Sequence, residues 1–417
     1  MPRRPRHRLS DALTLRGRCF LAAGVALILS GVALGFRDIT RVGVLVAGLP
    51  LAVLLLARRQ KLSFTAYRHV APSIVPIDQW CDVVLHLENP GPATTPILMA
   101  EEQLNYALGD RPRFVIPRMA PRATHQVTYR VRSAVRGRHR LGPLGLRIKD
   151  PFELTLRLAM VRGTSELIVL PRIIDLHGAS VTGGLGNEGA IPHTIALHGE
   201  DDVSVREYRE GDDLRRIHWP ATAKTGDLMV RQEDRPVTRR VVLILDDRAA
   251  VGAVTRSASS FEWAVTAIAS IAVLVMESAT STHLVLGGIN HGGLGGDHLR
   301  PESALTALAV ADLEEPATFA VSTQLASDAA AAGALCIAVI CPMSDAEIDQ
   351  FARIRPAGSA GLVLVTPVGD EAIPQADPEA TAARLRERGW SAVAIAPGMS
   401  VAGAWDALQA SSIGASR

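Results

Sequence analysis

Cysteine is scarce in this chain of 417 residues. The four present, Cys19, Cys81, Cys336 and Cys341, form no CxxC pair and no Cys/His array with zinc spacing. No disulfide framework is expected, which suits a reducing compartment. Net charge is also small: 44 basic against 42 acidic residues leave +2, too little to indicate a nucleic-acid partner. Lysine occurs only at Lys61, Lys149 and Lys224, so arginine carries nearly all the positive charge. Two familiar chemistries are missing their parts. Gly183-Gly184-Leu185-Gly186 has no following Lys-Ser/Thr and so is not a phosphate-binding loop, and Ser322 and Ser327 have no evident His/Asp partners.

Hydrophobic residues are 48% of the chain and charged residues 21%, a balance that folds. The length exceeds one ordinary core and implies two or three domains. Two uncharged runs stand near the N-terminus, Cys19 to Phe36 and Val42 to Ala57. As helices they span roughly 27 Å and roughly 24 Å, close to a hydrocarbon core of about 30 Å once flanking arginines snorkel. Arg37 to Arg41 between them suffices for a tight turn. Arg3, Arg4, Arg6, Arg8, Arg16 and Arg18 precede the pair, and Arg58, Arg59, Lys61 and Arg68 follow it. The positive-inside rule then places both ends in the cytoplasm. The expectation is a multi-pass plasma-membrane protein: a basic cytoplasmic N-terminus (1–18), a transmembrane helical hairpin in contact with the lipid bilayer (19–57), and cytoplasmic soluble domains.

Over 62–175 the pattern has period two. Val83, Leu85 and Leu87 alternate with polar or intermediate neighbours, as do Val127, Tyr129 and Val131, and Leu144, Leu146 and Ile148. With Asn89-Pro90-Gly91-Pro92 as a turn signal, this predicts an Ig-like β-sandwich of antiparallel strands. Residues 176–234 hold a glycine-rich connector and then a dense charged stretch, Asp201 to Asp234, threaded by apolar side chains. Over 238–417, buried-strand runs such as Val241 to Leu245 alternate with helical stretches, which predicts an α/β domain on a parallel, doubly wound, Rossmann-like sheet.

The charged stretch contains Arg206, Glu207, Tyr208, Gly211, Asp212, Asp213, Arg215, Ile217 and Trp219, then Lys224, Leu228, Val230 and Arg231. Upstream lie Arg136-Gly137-Arg138-His139-Arg140-Leu141-Gly142-Pro143 and Asp150-Pro151-Phe152. In this order and spacing, these pieces resemble the signature of the domain-of-unknown-function 58 family, including its R-G-x-x-x-L-G-P turn and D-P-F corner. The family usually has Gly after the corner, where this chain has Glu153. The resemblance implies a membrane-anchored protein with a von Willebrand factor A-like domain after the motif. It also implies a MoxR-type AAA+ ATPase as partner in a chaperone-like or envelope-related assembly role, and no established enzymatic activity or cofactor.

Two readings of the motif stay open. Arg206, Arg215, Arg216 and Arg231 lie near Glu207, Glu210, Asp212, Asp213 and Asp227, so arginine–carboxylate pairs could brace an irregular segment or form a docking surface, with Gly211 permitting a turn and Trp219 as a buried anchor. Alternatively, Asp212, Asp213 and His218 offer ligands for a divalent ion and acid–base groups, the makings of a metal-dependent hydrolase. A second candidate position follows the first α/β strand. There a von Willebrand factor A-like domain carries D-x-S-x-S for Mg²⁺, and this chain reads Asp246-Asp247-Arg248-Ala249-Ala250. Arg248 and Ala250 replace both hydroxyl ligands, so the expectation is a degenerate site without metal.

Overall fold

A computed structural model describes residues 13–59, 63–177, 205–208, 217–231, 240–251, 254–255, 258–277, 281–292, 299–331, 334–355, 361–367 and 377–414. The chain divides into two compact units, 1–172 with 308–310, and 173–307 with 311–417.

The first unit opens with α1 (Leu15–Leu34) and α2 (Arg37–Arg59). The Thr14 hydroxyl caps α1 by accepting the Gly17 N–H at 3.2 Å, and Gly35 ends it at φ +73°. The connection is shorter than the sequence suggests: Arg37 to Arg41 are already helical. Asp38 sits in the first turn of α2, where a carboxylate suits the helix dipole, and pairs with Arg41 at 3.2 Å. Both helices are long and apolar enough to cross a membrane. Their contact seam is made of small residues. Gly24 and Gly31 of α1 are buried in it, whereas Gly17, also buried, packs against Leu154. A Cβ on Gly24 would come within 2.5 Å of the Ala47 nitrogen, and one on Gly31 within 2.5 Å of Thr40 Oγ1. Backbones that approach this closely are how apolar helices associate without a hydrophobic drive in lipid. The large apolar side chains point away from the seam, with Leu29 65% and Leu45 71% exposed.

Nine strands follow: β1 (Thr65–Ala71), β2 (Ile74–Pro76), β3 (Cys81–Glu88), β4 (Leu98–Leu104), β5 (Arg113–Ile116), β6 (Thr124–Val131), β7 (Gly137–Lys149), β8 (Leu156–Val161) and β9 (Ser165–Leu170). One sheet has the order β1-β3-β6. The other runs β2-β9-β7-β4-β5, with β8 also paired to β7. The two sheets share one apolar core. Val83, Leu85 and Leu87 of β3 meet Leu98 and Ala100 of β4 and Leu141, Leu144 and Leu146 of β7, all buried as the period-two pattern requires. The R-G-x-x-x-L-G-P segment is not a turn. It is the first half of β7, a single strand that pairs with β9 over Gly137–Leu141 and with β8 over Leu144–Lys149. The partner changes at Gly142-Pro143.

Gly142 has a second reason to lack a side chain. Its φ is +92°, and a Cβ there would lie 2.8 Å from the Arg68 guanidinium carbon. Arg68 of β1 crosses the core to Glu102 of β4. Nε to Oε1 is 2.9 Å and Nη2 to Oε1 2.8 Å, both side chains being fully buried, while Nη1 donates to the Gly163 carbonyl at 2.8 Å. Burial pushes the Glu102 carboxyl up from its ordinary value, against the downward pull of Arg68. The Tyr129 hydroxyl beside them is also pushed up, chiefly by burial and then by the Glu102 charge.

At the D-P-F corner the departure from the family pattern has a backbone meaning. Glu153 sits at φ +55°, a left-handed conformation that glycine adopts without cost. Its side chain pairs with Arg16 at 3.0 Å and Lys149 at 3.5 Å, both pairs largely solvated. Such pairs contribute about 0–1 kcal/mol, while a left-handed non-glycine residue costs about 1–2 kcal/mol. Glu153→Gly is therefore expected to leave stability within about 1 kcal/mol of the parent. Glu153→Val should lower the melting temperature, which thermal unfolding of the pair measures.

The second unit contains the doubly wound sheet. Its strands are β12 (Arg240–Leu245), β15 (Ser281–Leu286), β16 (Ile289–Asn290), β17 (Leu335–Ile340), β18 (Gly361–Val365) and β19 (Ser391–Ala394), in the order β16-β15-β12-β17-β18-β19. All neighbours are parallel except β16, an antiparallel edge. Five of the six residues of β12 and all of β18 are buried, as expected for strands covered on both faces. Two smaller ladders precede and interrupt this sheet: β10 (Val205–Glu207) with β11 (Met229–Arg231), and β13 (Ala250–Val251) with β14 (Val254–Thr255). The unit's helices are α3 (Trp219–Thr225), α4 (Ala258–Met276), α5 (Pro301–Ala309), α6 (Pro316–Ala330), α7 (Asp345–Ala352), α8 (Pro378–Glu387) and α9 (Val401–Gly414). The length and composition of α4 would also allow it to cross a membrane, but 61% of its apolar window is buried in the protein.

Candidate functional site

The signature segment folds around a two-stranded ladder. Arg206 stands opposite Val230, Glu207 opposite Met229, and Val205 opposite Arg231, so the R-E-Y and L-x-V-R pieces are two strands of one antiparallel pair. Tyr208 donates its N–H to the Leu228 carbonyl at 2.8 Å, and His218 donates its own to Met229 at 2.8 Å. Between them α3 is begun by His218, whose Nδ1 accepts the Ala221 N–H at 3.2 Å, and ended by Gly226 at φ +86°. With Nδ1 accepting, a neutral His218 carries its proton on Nε2. The Thr222 hydroxyl accepts the Met229 N–H at 3.0 Å and ties the helix back to the ladder. Gly211, Asp212, Asp213, Arg215 and Arg216 lie outside the described residues, as do Asp201 and Asp202 and the side chains of Arg206, Glu207 and Arg231. Of the groups proposed for a hydrolase, only His218 is described, and it serves as a helix cap. Trp219 is a correction: it is 66% exposed and not a buried anchor. It is the first residue of a short helix, directly after the cap, and no part of this helix is buried.

The end of β12 is fully described up to the backbone of Ala250. Asp246 and Arg248 are both buried, and the guanidinium folds back onto the carboxylate in a two-point pair. Nε to Oδ1 is 2.9 Å and Nη2 to Oδ2 is 2.7 Å. The Arg248 N–H adds 3.2 Å to Oδ1, and the Cys341 N–H at the end of β17 adds 2.9 Å to Oδ2. The remaining Nη1 donates to Glu347 Oε1 at 2.7 Å, and the guanidinium lies 4.3 Å above the Phe319 ring of α6. Burial opposes the charge on Arg248, but the Asp246 carboxylate and then Glu347 outweigh it and hold the guanidinium protonated, above its ordinary value. Glu347 is itself fixed, because its other oxygen accepts the Ser344 N–H at 2.8 Å and hydroxyl at 2.7 Å in the capping box of α7.

A Mg²⁺ does not fit this set. Both Asp246 oxygens are occupied by N–H donors, and Arg248 supplies a fixed cation where a metal ligand would have to stand. Ala250, in β13, has no oxygen on its side chain. Among the described residues, no group of three or more His, Cys, Asp or Glu is arranged to hold a metal. The next residue behaves differently. Asp247 Oδ2 accepts the Gly287 N–H at 2.5 Å, and Oδ1 has no partner among the described residues. Burial pushes its carboxyl up to about 6, with the Asp246 charge adding to the rise and the Gly287 N–H opposing it. The folded value thus lies above the unfolded one. Asp247 contributes stability that is complete below pH of about 4 and is lost as pH rises through about 6. Asp247→Asn, which keeps an acceptor for Gly287, is expected to be more stable than the parent at pH 7.5 by on the order of 1 kcal/mol and to lose that advantage at pH 4.5. Denaturant titrations at the two pH values measure this.

Sequence reasoning missed Glu347 and Phe319, which complete the enclosure of Arg248 from 99 and 71 positions away. Ser344 and Glu347 at cap spacing were a readable helix start, but nothing local linked them to Arg248. A cavity of about 380 Å³ lies at the C-terminal ends of β18 and β19, lined by Ser260, Trp263, Thr366, Pro367 and Met399 among others. It lies beside the carboxyl ends of these strands and away from the switch point of the sheet, which is between β12 and β17.

No curated protein matches this sequence. Among solved structures, the CARDB domain of the PF1109 protein from Pyrococcus furiosus aligns at 13% identity over 26% of this chain and 93% of that one, with a TM-score of 0.20. A cohesin module from a Clostridium perfringens family 33 glycoside hydrolase aligns at 10% identity over 26% of this chain and 98% of that one, with a TM-score of 0.21. Likenesses this slight carry no argument. Residues 204–290, from the signature ladder through Asp246 and Arg248 to β16, match the family described as protein of unknown function DUF58, and this match supports placing the chain in that family.

Proposed function

We propose that this chain is a membrane-anchored scaffold or adaptor. On this reading α1 and α2 cross the plasma membrane as a pair. They hold an Ig-like β-sandwich and a von Willebrand factor A-like domain on the cytoplasmic side, where a MoxR-type AAA+ ATPase acts with them in a chaperone-like or envelope-related assembly process. The observation that carries the scaffold reading is the Asp246–Arg248–Glu347 cluster. At the strand end where a von Willebrand factor A-like domain would place a metal, this chain has a cation of its own, buried and bonded at all three guanidinium nitrogens. A domain whose metal position is filled by arginine can hold a partner surface in shape without an ion.

Strand order and the position of Asp246 support the domain reading. The burial of α4 favours two spans over three, and the arginine asymmetry around the hairpin favours cytoplasmic ends. The test is purification of the full chain from membranes with and without ATP. A MoxR-type ATPase should co-purify, and Asp212→Arg should reduce its recovery. Absence of any AAA+ ATPase under both conditions refutes the partnership. Labelling of Tyr106→Cys from outside intact cells by an impermeant maleimide refutes the orientation.

A further inference from the structure

The corner formed by Asp150, Pro151, Phe152 and Glu153 is bonded to the first membrane helix. Thr14 donates its N–H to the Leu154 carbonyl at 3.0 Å and its hydroxyl to the Glu153 carbonyl, and Leu13 makes an antiparallel bridge with Thr155. Gly17 packs so tightly that a Cβ would lie 2.2 Å from the Leu154 oxygen. The second helix reaches the same place: Arg157 Nη1 donates to the Ala57 carbonyl at 3.3 Å, at the end of its apolar run. The corner therefore sits at the level where both helices change from apolar to basic.

At that level it presents an aromatic ring. Phe152 is 61% exposed, and it is held out because Asp150 Oδ1 accepts its N–H at 2.8 Å while Oδ2 accepts the Thr155 N–H and hydroxyl. Exposed cationic side chains belong to the same corner: Arg16 and Lys149 pair with Glu153, and Arg157 of β8 bonds to the end of the second helix. An exposed aromatic ring among basic side chains at helix ends is the composition of a membrane–water interface.

We propose that this corner is a lipid-surface site: Phe152 enters the interfacial layer of the bilayer, and Lys149 and Arg157 face anionic headgroups. The inference rests on the reading of α1 and α2 as membrane-spanning. The Asp150 side chain then acts as the positioning group that aims Phe152.

The strand register supplies an internal control. Leu98 of β4 stands opposite Ile148, and Leu104 opposite Leu141, so the end of β4 is about 20 Å further from the corner at about 3.3 Å per residue. Tyr106, 91% exposed, follows that far end.

The test places photoreactive p-benzoylphenylalanine at position 152, 106 or 29 of the full chain in nanodiscs. These contain phosphatidylcholine alone or mixed with phosphatidylglycerol, and lipid adducts are read by mass spectrometry. Position 29, in the middle of α1, should form acyl-chain adducts and reports insertion of the hairpin. Position 152 should form lipid adducts and position 106 none. Phosphatidylglycerol should raise the yield at 152 by up to about thirtyfold, the factor for two near-surface cations, and Lys149→Glu with Arg157→Glu should abolish that rise. Adducts at 29 without adducts at 152, or at 152 with a co-purified protein in place of lipid, overturn the inference and leave the membrane reading intact. No adduct at 29 overturns both.

Discussion

Arg248→Ala is expected to destabilise the α/β unit by about 3–5 kcal/mol, the range for removing one partner of a buried ion pair. The substitution takes the two guanidinium bonds from Asp246, which stays fully buried with backbone N–H donors from residues 248 and 341 but no cation, and it removes the cation from the Phe319 face. Asp246→Ala should be similarly damaging, because it removes two of the three guanidinium bonds and leaves the buried cation on Glu347 and the Phe319 face. The double substitution should cost much less than the sum, since the two residues form one unit. Denaturant unfolding of the four proteins of the cycle gives the coupling, and a sum that adds within about 0.5 kcal/mol would show the pair to be incidental. Arg248→Lys should behave more like Arg248→Ala than like the parent, because an ammonium cannot make the two-point contact with Asp246 and also reach Glu347.

The second large effect is expected in the first unit. Arg68→Ala leaves Glu102 buried at full charge, or forces it to take up a proton, and should cost about 3–5 kcal/mol in the β-sheet core. Charge loss there should be relieved by acid. Without Arg68 the Glu102 carboxyl moves further above its ordinary value, so the native state binds the proton more tightly than the unfolded state and the deficit shrinks as pH falls. Replacing both partners with apolar residues, Arg68→Met and Glu102→Leu, should recover most of the loss. Amide hydrogen exchange of β3 and β4 follows this unit without interference from the other. A Gly142→Ala variant, by contrast, meets the guanidinium directly and should be destabilised even with both charges present.

The architecture was legible where it depends on neighbours in sequence. Period-two alternation placed Val83, Leu85 and Leu87 inward because side-chain direction in a strand is set by the residue's own backbone. Unbroken apolar runs marked the first two helices for the same reason. The Asp246–Arg248 pair was also within reach of sequence, since it spans two positions. What could not be read joins distant positions: Arg68 to Glu102 across two sheets, and Arg248 to Glu347 across the unit. Their partners are chosen by tertiary packing, which leaves no periodic trace. Two local misreadings have local causes. The family resemblance puts Gly142-Pro143 in a turn, but here it marks a change of partner within one strand. Trp219 reads as a core residue by size, but it falls on a short helix whose remaining residues bury nothing.

No slack separates α1 from the β-sheets. Backbone hydrogen bonds run from Thr14 straight into the Glu153–Leu154 corner, and Gly17 leaves no room for the two to slide. A torque on the sheets is thus delivered to the helix as rotation, and the glycine seam passes it to the second helix. The two therefore turn as one body, coupled rigidly and not through a tether.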